Sequence, residues 1–145
     1  MKIEPLIKSD IEKVKTLLVE NNLPVNDIDK IAVQLFVVKA KNKIIGVIGI
    51  ENYSTIGLLR SLAVSDNYKN LKIGAELVDY IIGYCSTNKM QELYLLTTTA
   101  EKYFVKFGFN IMERENIPDL IKKTSQFADI CPASAIIMKK HLNKD

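Results

Sequence analysis

Residues 67–77, NYKNLKIGAEL, join a predicted strand to the start of a predicted long helix. The first N–H groups of a helix have no partner within it, and the helix dipole adds partial positive charge at that end. Gly74 allows close approach of the backbone to a ligand, and Lys69 and Lys72 add positive charge. The stretch therefore indicates an anion site, while a plain turn into a helix remains the alternative. It matches neither the GxxxxGK(S/T) nor the GxGxxG phosphate motif.

The chain before this loop predicts a strand, a helix, a short helical turn and three further strands. A strand over residues 1–8 precedes Ser9, whose Ser-x-x-Glu pattern is typical of a helix-capping box. Apolar residues then recur at helical spacing, at Ile11, Val14, Leu17 and Leu18. The short helical turn is predicted over residues 25–31. The three strands are predicted over residues 33–40, 44–52 and 56–64.

Two details of these three strands bear on function. Residues 41–43 predict a hairpin turn in which Asn42 takes a left-handed conformation. Alternation along the third strand places four side chains on one face of the sheet, those of Leu58, Arg60, Leu62 and Val64. An arginine at such a position is rarely left unpaired. Arg60 therefore either meets a carboxylate partner or binds an anionic substrate with its forked guanidinium.

After the loop, helices and strands alternate. The patterns predict a helix over residues 73–87, a strand over 92–98, a helix over 100–107 that Gly108 ends, a strand over 109–114, a helix over about 118–126 that begins at Pro118, and a strand over 134–142. Antiparallel strands come first and a β-α-β crossover follows. We therefore predict one mixed α/β domain over residues 1–145.

Composition excludes several classes of protein. The chain has 145 residues, of which 48% are hydrophobic and 26% are charged, which is typical of a soluble domain. A net charge of +3 fits a small anionic ligand but is too weak to indicate nucleic acid. No segment approaches the roughly 20 apolar residues of a membrane span. Two cysteines without a CxxC motif, and no signal peptide, predict a cytoplasmic protein with reduced thiols. No metal is expected.

The element order, with this loop between the fourth strand and the long helix, resembles the GNAT superfamily of N-acetyltransferases. The stretch Lys69-x-x-Lys72-x-Gly74 is similar to the family's Arg/Gln-x-x-Gly-x-Gly/Ala pattern, although lysine replaces the middle glycine. The resemblance implies that the chain binds acetyl-coenzyme A as co-substrate. The implied cofactor-binding residues are Leu62, Ala63, Val64, Lys69, Asn70, Leu71, Lys72, Ile73, Gly74, Ala75, Thr97 and Phe104.

Further stretches narrow the resemblance. Residues 100–109, AEKYFVKFGF, are similar to the family's Ala-x-x-x-Tyr-x-x-x-Gly-Phe stretch, and LLRSLAV at 58–64 is similar to the strand that pairs with the pantetheine arm. LYLLTTTA at 93–100 and CPASA at 131–135 resemble the ArsN-like branch, which is associated with arsenic resistance. The branch name does not settle the substrate. Arg60 could meet an acidic group on the acceptor, which suggests an amino acid analogue or an arsenic-containing one.

Acetyl transfer needs a base for the amine, a hydrogen-bond donor for the thioester carbonyl and an acid for the leaving thiolate. Relatives often use a tyrosine as the acid, but Phe104 stands at that position here. Tyr103 is a candidate that points about 100° away on a helix, so a packing role is the alternative. Thr97 stands where relatives often have an asparagine. Some relatives use as base a glutamate early in the fourth strand, near Ile56 here, and Glu51 is the carboxylate nearest to that position.

Three residues are predicted to contact the acceptor, namely Arg60, Arg114 and Cys131. The two arginines are the only ones in the chain, and Cys131 lies in CPASA, where a packed thiol is the alternative. We therefore predict direct acetyl transfer to a small primary amine, without nucleic acid or membrane partners and with a possible homodimer. An acetyl-coenzyme A-binding module with little turnover is the alternative function.

Overall fold

The computed structural model describes residues 2–28, 33–124, 127 and 135–142. The strands are β1 (Ile3–Pro5), β2 (Val33–Ala40), β3 (Lys43–Tyr53), β4 (Ile56–Val64), β5 (Glu92–Thr97), β6 (Asn110–Met112) and β7 (Ile136–His141). The helices are α1 (Ile11–Glu20), α2 (Ile73–Thr87), α3 (Glu101–Val105) and α4 (Asp119–Lys122). Short 3-10 turns lie at Lys8–Asp10, Asp66–Leu71 and Arg114–Asn116.

The seven strands form a sheet in the order β1-β2-β3-β4-β5-β7-β6. Strands β1, β2 and β3 pair antiparallel, β4 pairs parallel with β5, and β7 runs antiparallel to both β5 and β6. The parallel pairing joins Ile56–Leu58 to residues 92–94. The predicted mixed α/β class, with its early antiparallel strands and its crossover, is confirmed.

Several predicted boundaries are confirmed to the residue and others are wrong. Strands 33–40 and 56–64 and helix 73–87 have the predicted bounds. The capping box is wrong, because α1 begins at Ile11 after a 3-10 turn, and Asp10 precedes it without a side-chain capping bond. The later elements are shorter than predicted: α3, β6 and the described part of α4. Residues 26–28 form a turn rather than a helix, and 29–31 lie outside the described residues.

The hairpin between β2 and β3 follows its prediction closely. Asn42 has φ 67° and Lys41 has φ 52°, so both central residues of the turn are left-handed. Two left-handed residues give the backbone twist that matches the twist of the two strands. The turn thereby sets the pairing next to it, Ala40 with Lys43 and Lys39 with Ile44, and the register shifts by one residue between Lys39 and Val38, beyond which Val37 pairs with Val47.

The contacts of the chain cluster into two compact units. The first comprises the residues up to Glu51 together with Leu59–Gly83, and the second comprises Asn52–Leu58 and the described residues from Tyr84 onward. The prediction of one domain over residues 1–145 stays a prediction.

In the first unit, α1 covers one face of the strands and α2 covers the other. The α1 face is a cluster of Val14, Leu17, Leu18, Ile28, Leu35, Val37, Val47 and Ala63. On the opposite face, the ring of Phe36 lies 5.0 Å from the ring of Tyr80 on α2. Strand β2 is buried on both faces, which explains its continuous apolar run.

In the second unit, a separate core forms around β5 and β7. Its buried members are Leu58, Tyr94, Ile117, Ile121 and Ile137. Helix α3 adds aromatic packing, because the ring of Phe104 lies 5.8 Å from that of Phe109. Gly108 joins α3 to β6 with φ 92° and donates its N–H to the Val105 carbonyl at 3.0 Å, so the predicted glycine cap is confirmed.

The cap at Gly108 generates a stability prediction. A Gly108→Ala variant must place a side chain on a left-handed backbone, and its Cβ would lie 2.6 Å from Lys140 Nζ. We expect it to lower the free energy of unfolding in urea by about 1–2 kcal/mol. The matched control is Gly83→Ala on α2, where nothing lies within 4 Å of the added Cβ. That change should raise stability by about 0.5–1 kcal/mol. If Gly108→Ala is as stable as wild type, the role of Gly108 as a helix cap is contradicted.

Candidate functional site

The loop of residues 65–72 connects β4 to α2 in the first unit. Ser65 donates its N–H to the Ile45 carbonyl at 2.8 Å, which ties the start of the loop to β3. A 3-10 turn then runs over Asp66–Leu71, and α2 begins at Ile73. The backbone therefore enters α2 as predicted, with the first N–H groups of a 15-residue helix at the end of the loop.

Lys72 has a backbone conformation that favours glycine. Its φ of 61° and ψ of 21° lie in the left-handed region. Residues with a side chain pay about 1–2 kcal/mol to adopt this conformation. Lys72 is the position at which the family pattern has its middle glycine, and its backbone has a conformation that glycine adopts freely. The sequence alone did not indicate this conformation.

Gly46 on β3 sets the approach of α2. A Cβ at this position would lie 3.0 Å from Ile73 Cγ2 and 3.1 Å from Leu77 Cδ1. A side chain here would require Ile73 and Leu77 to shift by a few tenths of an ångström. Gly46 therefore allows the N-terminal end of α2, whose N–H groups would face an anion, to pack closely onto β3.

The lysines of the loop are exposed to solvent. Lys69 Nζ lies 2.9 Å from Asp66 Oδ1, a surface pair three residues apart, and Lys72 is also exposed. Exposed pairs of this kind contribute little to stability, so Lys69 can exchange Asp66 for another anion at small cost. The side chain of Asn70 lies outside what the structure describes.

A buried ion-pair cluster lies beneath β4. Arg60 Nη1 lies 2.5 Å from Asp27 Oδ2 and 2.9 Å from Glu51 Oε2, and Nη2 donates to Asp27 Oδ1 at 2.7 Å. None of the three residues is more than 5% exposed. Burial acts to lower the pKa of the Arg60 guanidinium, but the hydrogen bonds to Asp27 and then Glu51 outweigh it and raise that pKa. Arg60 therefore meets carboxylate partners, the first of the two predicted alternatives.

Ser61 interrupts the alternation of β4. Its φ of 59° is left-handed inside a strand, and its Oγ accepts a hydrogen bond from Arg60 Nε at 3.0 Å. Ala63 belongs to the α1-face cluster with Ile28, the neighbour of Asp27 to which Arg60 binds. The predicted common face for Arg60, Leu62 and Val64 is therefore wrong, because the left-handed residue shifts the alternation by one position.

The other predicted residues lie in the second unit. Thr97 ends β5, and its Oγ1 accepts the N–H of Ala100 at 3.0 Å just before α3. The hydroxyl keeps its own hydrogen as a donor. The Phe104 ring is buried, and Tyr103 packs its ring 5.3 Å from Phe104 and 5.2 Å from Phe107. The aromatic contacts agree with a packing role for Tyr103.

Arg114 begins a 3-10 turn instead of lying on β6, so its predicted place on the strand is wrong. Its Nη2 donates to the Ala135 carbonyl at 3.1 Å, and its guanidinium lies 5.2 Å from the centre of the Phe127 ring. Arg114 thus holds the start of β7 and Phe127 together. Cys131 lies outside the described residues, and its contact with an acceptor stays a prediction.

Sequence reasoning missed Asp27 and Ser61. The signal for Asp27 was the arginine itself, since a buried guanidinium requires a carboxylate and Asp27 stands beside the apolar Ile28. No sequence pattern indicates a left-handed serine. Among the residues that the structure describes, no group of three or more His, Cys, Asp or Glu is arranged to hold a metal ion. Within the same residues, no helix is long and apolar enough to cross a membrane.

A family model described as an acetyltransferase (GNAT) domain matches residues 8–125. The chain belongs to the GNAT acetyltransferase family. It is 31% identical over 87 residues to an uncharacterized N-acetyltransferase from Chlorobaculum tepidum, a match that covers 59% of this chain and 56% of that protein. The match thus spans about half the length of this curated N-acetyltransferase.

Solved structures share the GNAT fold at low identity. N-acetylglutamate synthase from Neisseria gonorrhoeae, complexed with coenzyme A and N-acetyl-glutamate, superposes with a TM-score of 0.81 at 17% identity, over 99% of this chain and 35% of that one. A GNAT-family acetyltransferase from Staphylococcus aureus Mu50 gives a TM-score of 0.78 at 21% identity, over 98% and 99% of the two chains. These likenesses show the fold.

The buried cluster generates a second prediction. An Asp27→Ala variant removes both oxygens that face the two Nη atoms of Arg60 and leaves the guanidinium buried with one carboxylate. Breaking a buried pair from one side costs about 3–5 kcal/mol, which chemical unfolding measures directly. The control is Asp66→Ala, which breaks the exposed pair with Lys69 and should change stability by less than about 1 kcal/mol. Equal losses of stability in the two variants would contradict the larger contribution of the buried pair.

Cys85 generates a third prediction. Burial raises the pKa of this thiol to about 12, so the reactive thiolate is scarce at neutral pH. In a Cys131→Ser variant, we expect no fast reaction with Ellman's reagent until urea unfolds the protein. Because the folded state keeps its proton between the ordinary value of 9.0 and about 12, stability should fall as pH rises through this window. Rapid labelling of the folded variant would disprove the burial.

Proposed function

We propose that this chain moves an acetyl group from acetyl-coenzyme A to the primary amine of a small acceptor. One observation carries the proposal: a left-handed residue at position 72 leads into α2 in a chain that matches the GNAT model over residues 8–125. Backbone N–H groups at a helix start can bind phosphate without a particular side-chain motif, and Lys69 and Lys72 add positive charge. A fold neighbour, the Neisseria gonorrhoeae synthase, is complexed with coenzyme A.

In the proposed reaction, the amine nitrogen attacks the thioester carbonyl carbon and the carbon–sulfur bond breaks. The nitrogen loses one proton, and the leaving thiolate of coenzyme A takes one up. The Thr97 hydroxyl has a free donor hydrogen that suits a developing carbonyl oxyanion, because its oxygen already accepts from Ala100. Phe104 has no proton to donate. Holding the two reactants in line supplies much of the remaining rate enhancement.

The proton acceptor in the proposed mechanism is water. Glu51 is 1% exposed and its carboxylate faces Arg60, an arrangement that does not favour proton transfer from a substrate amine. Tyr103 packs on two phenylalanine rings. Both residues stay predictions as catalytic groups, and neither is required by the proposal.

The acceptor is proposed as a small amine. The prediction of an acidic acceptor depended on Arg60, whose two Nη atoms are turned to Asp27 and Glu51. An amino acid analogue linked to arsenic resistance is therefore a narrower form of the proposal, which only the motifs LYLLTTTA and CPASA support. A cytoplasmic location, a single domain over residues 1–145 and a possible homodimer likewise rest on sequence alone.

A binding module without turnover is the second candidate. The observation that favours it is the buried Phe104 ring at the position of the expected acid. A thermal shift with acetyl-coenzyme A, combined with no release of coenzyme A thiol across a panel of small amines, would decide for the module. Steady thiol release with one class of amine would decide for the enzyme.

The first test is titration calorimetry with acetyl-coenzyme A on wild type, Lys72→Ala and Lys72→Gly. We expect wild type to bind with a dissociation constant of roughly 1 μM–1 mM. Lys72→Ala removes the charge and keeps the left-handed cost, so it should bind several-fold more weakly. Lys72→Gly removes both and should bind more tightly than Lys72→Ala, because glycine adopts the loop conformation freely. Absence of binding by all three proteins would overturn the proposed function.

A further inference from the structure

Arg60 links three separate parts of the first unit through one planar group. Its Nη atoms face Asp27 in the segment after α1 and Glu51 on β3, and its Nε faces Ser61 on its own strand. The side chain of Arg60 is fully buried. The function proposed above assigns no role to this cluster, although it lies directly before the β4 residues that the family resemblance assigns to the cofactor.

The direction of the Nε–H bond is dictated by the two carboxylates. A guanidinium is planar and rigid, so fixing two of its nitrogens fixes the third. Asp27 holds Nη1 and Nη2 at 2.5 and 2.7 Å in a forked contact, and Glu51 holds Nη1 at 2.9 Å. Nε then points at Ser61 Oγ, 3.0 Å away. A lysine in the same place would keep the charge but would have no atom equivalent to Nε.

Ser61 needs such support because its backbone is in an unfavourable conformation. At φ 59° it is left-handed within a strand, and serine does not adopt this conformation freely as glycine does. Such residues persist when the surroundings over-determine them. The Ser61 side chain accepts a hydrogen bond from Arg60 Nε at 3.0 Å, a contact that can supply such a restraint.

The conformation of Ser61 decides how the next three residues are presented. The shift at Ser61 turns Ala63 into the α1-face cluster and leaves Leu62 and Val64 half-buried. Without the shift, each of the three side chains would exchange faces and the backbone N–H and C=O groups would turn with them. The strand end at Leu62–Val64 is where the family resemblance places the pantetheine arm of acetyl-coenzyme A.

We propose that Arg60 is a positioning residue for acetyl-coenzyme A. Held by Asp27 and Glu51, it stabilises the left-handed conformation of Ser61, which sets the backbone direction of Leu62–Val64. This inference rests on the proposed function, since it concerns the same cofactor. In this inference, Arg60 affects cofactor binding indirectly, by way of Ser61, and does not contact the acceptor.

The test measures acetyl-coenzyme A affinity by calorimetry in Arg60→Lys, Ser61→Gly and the double variant. Arg60→Lys should weaken binding about tenfold, the fold-change that matches the loss of a left-handed restraint. Glycine adopts the conformation of Ser61 without help, so the double variant should bind within about twofold of Ser61→Gly. Ser61→Ala removes only the Oγ acceptor and should weaken binding in the same direction. It also serves as the test if Arg60→Lys fails to fold.

The control variant is Lys39→Met, which breaks another ion pair of the same unit, that of Lys39 Nζ with Asp10 Oδ2 at 2.8 Å. It should leave the affinity unchanged, which separates positioning from general stability. If Arg60→Lys and Ser61→Ala both bind acetyl-coenzyme A as tightly as wild type does, the inference is overturned and the proposed function stays intact. A loss in Arg60→Lys that Ser61→Gly does not repair would also overturn it. Absence of binding by wild type would instead remove the proposed function, and the inference with it.

Discussion

A buried guanidinium is costly unless its donors are satisfied, and this requirement organises the first unit. Arg60 on β4 binds Asp27 in the segment after α1, and it also binds Glu51, the last β3 residue of the first unit. Residues 26–28 of this segment form a turn, and Ile28 next to Asp27 packs into the α1-face cluster. Hydrophobic replacements of buried ion pairs are often as stable but specify no direction, whereas the planar fork of Arg60 selects one arrangement of three chain segments. The charge network therefore determines how these three segments are oriented relative to one another.

Sequence reasoning succeeded where periodicity is strong and failed where one backbone angle decides. Strands 33–40 and 56–64 and helix 73–87 carry long apolar patterns, and their bounds were predictable to the residue. Ser9 matched a capping box, yet the helix begins after Asp10, since a 3-10 turn takes up the first residues. Alternation along β4 failed at Ser61, because a single left-handed residue changes the face of all that follow and serine carries no signal for it. Long-range partners such as Asp27, 33 residues before Arg60, are equally invisible to local patterns.

The loop before α2 separates two properties that a motif merges, residue type and backbone shape. Glycine adopts a left-handed conformation freely, and Lys72 has that conformation with a side chain. Lysine at this position therefore adds a conformational cost and a positive charge to the loop. Gly46 contributes from a different strand, because Ile73 and Leu77 at the start of α2 pack closely over it. A motif search sees neither this backbone conformation nor this distant glycine.

The chemistry of the second unit follows from what its residues are already bound to. Thr97 uses its oxygen to accept from Ala100 at the start of α3, which orients the hydroxyl and leaves its hydrogen for another acceptor. Phe104 fills the place of an acid with a ring that packs on Phe109, so the position serves the core of the unit. The thiolate of coenzyme A is a weak enough base to leave without a dedicated acid when the negative charge on the thioester carbonyl oxygen is well stabilised. In the proposed mechanism, catalysis depends chiefly on how the backbone holds the two reactants, and we propose that the conformations of Ser61 and Lys72 set that backbone.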